Sequence, residues 1–345
     1  MTRKLIGIVG LLMAWNYTTA QWITQNIATS ASFRGVHAVT EKTVWASGSK
    51  GTIIKTSDAG AKWEVFTVAG AEKLDFRDIH AFDSKHAVII SAGEASEGAA
   101  KVYRTADGGV TWSLVFETQE KGVFFDGIDF WNKNEGIIFS DPIESRWYIL
   151  KTTDAGKTWN RIASDNFALC KSNEAAFAAS GTSMLTVGKQ KAFICTGGTT
   201  IARVFKSEDL GQHWVAVDTP IPAGKTSGLF GMKFWDEQHG IAVGGDYLEV
   251  EKAVPNVAIT QDGGKSWQLA QQTTPSGLKE GVDLYKKKIL IAVGPSGTSF
   301  SSDFGKTWIM IDKSAFHAIS IKGSGIWAVG GKGNIAQLNT KILGQ

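Results

Sequence analysis

Arg34, Arg77, Arg146 and Arg203 are the side chains best suited to gripping an anionic or carbonyl-rich ligand. A guanidinium offers a planar fork of donors that takes carboxylate or phosphate oxygens two at a time. Only Arg104 and Arg161 complete the arginines after residue 20, whereas lysines are scattered throughout. Acidic residues accompany the four: Asp78, Glu94, Asp126, Asp141, Glu144, Glu174 and Asp246, with Tyr247 and His317. Two chemistries follow if these groups converge. In recognition, the arginines hold a ligand's oxygens and the carboxylates shape selectivity. In catalysis, two carboxyls in unlike environments divide acid and base roles, as in glycosidic bond cleavage, with Glu174, Tyr247, Asp246 and Asp141 as the candidates. A third possibility is purely structural: ion pairs from the arginines to Asp78, Asp126, Asp141 and Glu174 that tie neighbouring segments together.

The elements that must position these residues are set by a repeat. Thr152-Thr153-Asp154-Ala155-Gly156-Lys157-Thr158-Trp159 reads as a hairpin turn, with an Asp to bond backbone N–H groups, a Gly for positive φ and a Trp for packing. The pattern Ser/Thr-x-Asp-x-Gly-x-x-Trp occurs six times, centred on Asp58, Asp107, Asp154, Asp209, Asp262 and Asp303. The spacings are 49, 47, 55, 53 and 41 residues, and β-branched, alternating flanks make each repeat a set of short strands. A repeat of this length points to a β-propeller. In the first repeat, strands A to D are expected at 35–39, 43–47, 52–56 and 62–66. The following blades are expected at 75–116, 123–163, 173–217, 227–270 and 281–311. Residues 317–321, 325–329 and 333–338 give three strands of a last repeat. Gln21-Trp22-Ile23-Thr24, which resembles the start of the other D strands, is expected to supply the fourth and to close an all-β, seven-bladed ring over 21–345.

The motif is the Asp box, and the chain resembles the Asp-box (bacterial neuraminidase repeat) propellers. It is most similar to those related to the photosystem II assembly and stability factor, through Phe33-Arg34-Gly35-Val36-His37-Ala38, the run from Val44 to Thr52, and Ala292-Val293-Gly294-Pro295-Ser296-Gly297. The resemblance implies an assembly module that recognises a polypeptide. Sialidases share the box; in them an arginine cluster binds a substrate carboxylate, and a glutamate assists a tyrosine nucleophile. Arg34, Arg77 and Arg203 with Tyr247 and Glu174 or Glu94 imitate that set, but the Arg-Ile-Pro segment typical of sialidases is absent. Six copies of one turn are better explained by backbone satisfaction than by six active sites, so the box aspartates are read as structural. Function is expected on the opposite, irregular face. There the lead-ins to the A strands carry Arg34, Arg77-Asp78, Asp126, Glu174 and His317, with Gly228 and Gly281 at the equivalent places in blades five and six. The long B–C loops there carry Glu94, 141–146, 199–203 and Asp246-Tyr247.

Composition narrows the remaining classes. The formal charge of +3 falls to +1 without Arg3 and Lys4, which gives no case for nucleic acid. Arg3 and Lys4, an apolar run from Leu5 to Trp15 and small residues up to Ala20 form a secretory signal, so an exported chain starting near Gln21 is expected. No later stretch is apolar enough to span a membrane. The six histidines, at most two in any repeat, give no metal centre, no nucleotide fingerprint opens a helix, and no cofactor is expected. Cys170 and Cys195 are the only cysteines, and pairing between them is open. A monomer is expected, with a protein or acidic ligand as partner.

Overall fold

The computed structural model describes residues 21–270 and 275–343, so the signal-peptide reading of 1–20 lies outside the described residues. Seven four-stranded antiparallel sheets are arranged as the blades of a propeller. In blade one the strands are Phe33–Ala38, Val44–Gly48, Thr52–Thr56 and Glu64–Thr67. The A strands of blades two to seven are Asp75–Ala81, Phe125–Phe130, Met184–Val187, Ser227–Phe234, Gly281–Tyr285 and Ala318–Lys322. The outer strand of the seventh sheet is Trp22–Thr24, pairing Trp22 with Leu338 and Thr24 with Ala336. Trp22 also donates from Nε1 to Thr298 Oγ1 at 3.0 Å and packs its ring on Phe316. Among the described residues the only helical turns are Ala95–Glu97 and Thr340–Leu343.

The hydrophobic core is divided among the blade junctions. One cluster joins Trp45 and Ile53 of blade one to Phe76 and Ile89 of blade two, and similar clusters fill the other six junctions. The box tryptophans contribute to this packing: Trp63 meets Trp327 edge-on at 5.5 Å, and Trp112 meets Trp45 at 6.4 Å. The side chains of each box close its own turn. Asp154 Oδ1 accepts from Thr152 Oγ1 at 2.8 Å and from Thr158 N at 3.0 Å, while Thr158 Oγ1 donates to Oδ2 at 2.7 Å. Thr152 Oγ1 in turn accepts from Gly156 N at 3.0 Å. Ala155 and Gly156 both take positive φ, 64° and 75°. The bonds from the box hydroxyl and from the backbone N–H four residues past the aspartate recur at Asp58, Asp107, Asp209, Asp262 and Asp303. The box carboxylates are therefore occupied by their own turns, and the Thr111 hydroxyl and N–H hold the Asp107 carboxylate at about 2.

A second repeated position laces the inner strands together. His37, His80, Asp129, Lys233, Asp283 and Ser320 occupy the same place in six of the A strands, and Leu185 takes it in blade four, as their pairing through the B strands to the C strands shows. His80 Nδ1 lies 3.2 Å from Asp129 Oδ1, and Asp129 Oδ2 accepts from Thr186 N at 2.8 Å. Lys233 Nζ meets Asp283 Oδ1 at 2.6 Å, and Asp283 Oδ2 accepts from Ile321 N. Ser320 Oγ accepts from Ala38 N, and His37 Nδ1 from Ala81 N. These side chains bond across blade junctions, which accounts for their polarity.

One question left open by the sequence is answered here, and one expectation changes. Cys170 and Cys195 are both buried and unpaired, in different interblade clusters, and burial raises both thiols well above their ordinary range. The inner strand of blade four starts at Met184, so Glu174 does not lead into it. Residues 163–183, which precede that strand, contain only isolated bridges and turns and include an Ala-rich run without strand alternation.

Candidate functional site

On the face opposite the boxes, six of the seven blades present one residue, in or just before the A strand, at the mouth of the central channel. Register shifts place a β-bulge at Arg34, Arg77, Asp126 and Phe230, just before Gly35, Asp78, Gly127 and Gly231. A bulge re-aims a side chain and strengthens the local twist. In blades six and seven the corresponding residues are Glu280 and His317, whose N–H groups donate to Val293 O and Val329 O. These six residues line a mouth cavity of about 510 Å³, together with Asp141, Phe124, Phe177, Tyr247, Val250 and Pro295.

The electrostatics of the mouth are mixed. Arg77 Nε donates to Asp75 Oδ2 at 2.8 Å. Arg34 Nη1 lies 3.8 Å from Glu280 Oε2, which also meets His317 Nδ1 at 2.6 Å. Burial pulls the Arg34 guanidinium below its ordinary value; Glu280 opposes this and the nearby Arg77 adds to it. Asp126 is 1% exposed and its Oδ2 has no hydrogen-bond partner. Burial, then the neighbouring Asp141, raises its carboxyl well above the usual range. Asp141 is pushed up to about 6 by burial, against the Ala176 N–H that bonds its Oδ1 at 3.3 Å. Each guanidinium carries five N–H donors, and those bonds use only part of the set.

The segment before blade four's inner strand crosses this mouth. Arg34 Nη1 donates to Ala179 O at 3.3 Å and Arg77 Nη1 to Ala178 O at 3.4 Å. Ser180 Oγ reaches Glu280 O at 2.7 Å. Phe177 stacks on Phe230 with ring centroids 4.1 Å apart and planes 10° from parallel, and it meets Tyr247 edge-on. The strap divides the channel: its other side, at Ser180, Gly181 and Thr182, lines a second cavity of about 680 Å³ ringed by the polar positions of the A strands.

Of the residues singled out from sequence, the structure brings Arg34, Arg77, Asp126, Asp141, Tyr247 and His317 to one cavity. Arg203 and Glu174 are not available to a ligand, because they form a buried pair. Arg203 Nε donates to Glu174 Oε1 at 2.8 Å and its Nη2 to Oε2, while Thr196 Oγ1 and Lys171 N also donate to Glu174. Arg146 and Glu144 sit at the tip of the B–C hairpin of blade three, where Glu144 and Ser145 take positive φ, and neither lines the mouth. Asp78 is a junction residue, accepting from Ile79 N and Ile128 N at 2.8 Å each. Glu94 is exposed before the short helical turn, and Asp246 caps the N–H of Leu248. Of the catalytic candidates, Glu174 is committed to Arg203, while Tyr247 is half-exposed with its ring edge against Phe177. Phe230 and Glu280 were missed. The equivalents expected in blades five and six were Gly228 and Gly281; a bulge puts Phe230 at the mouth in blade five, and in blade six, whose register has no shift, the mouth residue is Glu280, just before the strand. Aligning the repeats on the residue that follows the bulge would have found them.

Comparison with known proteins agrees with this architecture. The sequence profile described as Photosynthesis system II assembly factor YCF48 matches residues 78–226. Among curated proteins, none matches at the level of sequence. A solved structure titled "YCF48 bound to D1 peptide" is similar, with 16% identity and a TM-score of 0.67 over 93% of this chain and 97% of that one. YCF48 from Cyanidioschyzon merolae is similar at 14% identity and a TM-score of 0.66, over 93% of this chain and 100% of that one. The RRP9 WD40 repeats share the fold at 11% identity and a TM-score of 0.62, covering 93% and 97%. Residues 78–226 thus resemble the photosystem II assembly factor profile, and the chain shares the β-propeller fold of the YCF48 structures.

Proposed function

We propose that this chain is an exported, non-enzymatic binding module that takes a polypeptide segment into the mouth lined by Arg34 and Arg77. The observation that carries the reading is the pair of guanidiniums at the mouth, which already hold two backbone carbonyls of the strap and keep donors to spare. A polypeptide offers both carbonyls for Arg34 and Arg77 and N–H groups for the carboxylates of Asp126 and Asp141. Phe230 and Tyr247 add an apolar wall of the kind that anchors interfaces. The YCF48 structure titled with a D1 peptide supports a peptide as the ligand class. The client of this chain can differ from D1, because the likeness carries the fold and not the ligand. Export rests on the basic and apolar residues before Gln21, and the module works as a monomer.

The test is capture from a cell-envelope fraction with the mature chain, beside an Arg34→Ala/Arg77→Ala variant shown to fold. The reading expects a protein held by the wild type and lost by the variant. The same proteins on both baits would reject it.

A further inference from the structure

The strap at residues 175–182 is the part of the mouth that the repeat does not supply. Its polar contacts with the mouth arginines and with Asp141 are made by its backbone. Ala178 O and Ala179 O face the arginines and Ala176 N faces Asp141, so these contacts read main chain rather than side chains. Its side chains are small, with one exception: four alanines flank Phe177, whose ring sits on Phe230. The ring is also closely seated against the backbone of Gly197, where an added Cβ would meet it at 2.5 Å.

The strap fits the mouth imperfectly. Its two bonds to arginine, at 3.3 and 3.4 Å, lie beyond the usual N–H···O range. It also leaves buried Asp126 Oδ2 without a donor, and a buried unsatisfied acceptor is costly. The chain is fixed at both ends of the strap, by the Glu174–Arg203 pair before it and by the strand starting at Met184 after it. An incoming segment that shortens the arginine bonds and supplies one more N–H would compete well.

We propose that the strap is a displaceable internal occupant of the mouth, and that the external partner presents an extended segment of small residues around one aromatic side chain. The proposal rests on the polypeptide-binding reading above and adds the partner's chemistry and the competition that controls access. A site that is open only a fraction of the time binds more weakly by that fraction. Loosening the strap therefore strengthens binding without touching the arginines.

The probe is a fluorescein-labelled peptide with the strap's own sequence, Asn-Glu-Ala-Ala-Phe-Ala-Ala-Ser-Gly-Thr, read by anisotropy against the full chain. Phe177→Ala removes the strap's aromatic anchor, which the probe then replaces. Binding about tenfold or more tighter than to wild type is expected. Adding Arg34→Ala/Arg77→Ala to that background should reverse the gain. In wild type, saturating probe should speed hydrogen exchange of the strap amides. If Phe177→Ala does not fold, the milder Ser180→Ala and the exchange measurement decide. Equal, weak binding to folded wild type and variant, with strap exchange unchanged by the probe, would make the strap a fixed plug and overturn the proposal. That result would leave the envelope-capture test of Arg34 and Arg77 untouched.

Discussion

Replacing Arg203 by Met should damage the fold and not merely a binding face. Glu174 is 4% exposed and Arg203 7%. Four donors converge on the Glu174 carboxylate: Arg203 Nε, Thr196 Oγ1 and Lys171 N, each at 2.8 Å, and Arg203 Nη2. Arg203 also donates to Leu169 O at 2.9 Å and lies 4.7 Å over the Phe205 ring. Removing one member of a buried pair strands the other charge, at a cost of about 3–5 kcal/mol. For a domain of this size that is roughly 6–10 °C in melting temperature, taking about 2 °C per kcal/mol. Glu174→Gln with Arg203→Met should recover part of the loss, because no charge is then left unpaired. Scanning calorimetry on the two single variants and the double variant measures this. If Arg203→Met melts within about 1 °C of wild type, the range of an ordinary surface substitution, and yet loses its partner, Arg203 is a ligand-binding residue and the clamp is refuted.

Three further outcomes follow from the same contacts. Thr152→Val strips the box turn of the hydroxyl that accepts from the buried Gly156 N–H, and should cost about 1–3 kcal/mol in urea unfolding; a midpoint equal to wild type would deny the boxes their structural role. Cys170 and Cys195, buried and with thiols raised by burial, should resist a thiol reagent in the folded chain and both react once it is unfolded; fast modification of the native chain would contradict their burial. Burial raises Asp78 to about 7, so its contribution is full below about pH 4 and is lost as pH rises through 7. His37, lowered to about 3 by burial and by His80, runs the other way between about 3 and 6.5. The test is therefore the difference between wild type and Asp78→Asn, which should move in the variant's favour from about pH 4 to 7; a difference that ignores pH would refute the raised carboxyl.

The fold was legible because the box is local. Every bond that the Thr152 and Asp154 side chains make lies within four residues, so the sequence pattern and the geometry are the same fact. The seven-blade count followed from spacing for the same reason. The site was only partly legible, because its geometry depends on bulges and on a long crossing. The bulge at Phe230 puts the mouth position two residues past Gly228, and in blade six, where the register has no shift, it falls one residue before Gly281, at Glu280. Arg203 and Glu174 look like a ligand pair in sequence, and only burial separates a clamp from a site. The strap was invisible because its partners, Arg34, Arg77 and Glu280, lie about a hundred residues or more away in the chain. The repeated polarity at His37, His80 and Asp129 is also visible in the repeat, and its reason is the bonds across the junctions.

The central claim is that a polypeptide enters the mouth between Arg34 and Arg77. Tyr247 stands on the rim of that cavity, half-exposed and edge-on to Phe177. A photo-cross-linking phenylalanine analogue placed at position 247, irradiated in a cell-envelope extract, reports directly on what occupies the mouth. The account predicts a discrete polypeptide adduct that disappears when Arg34 and Arg77 are both changed to Ala in a chain that still folds. An adduct of the same identity and yield in both chains would contradict it.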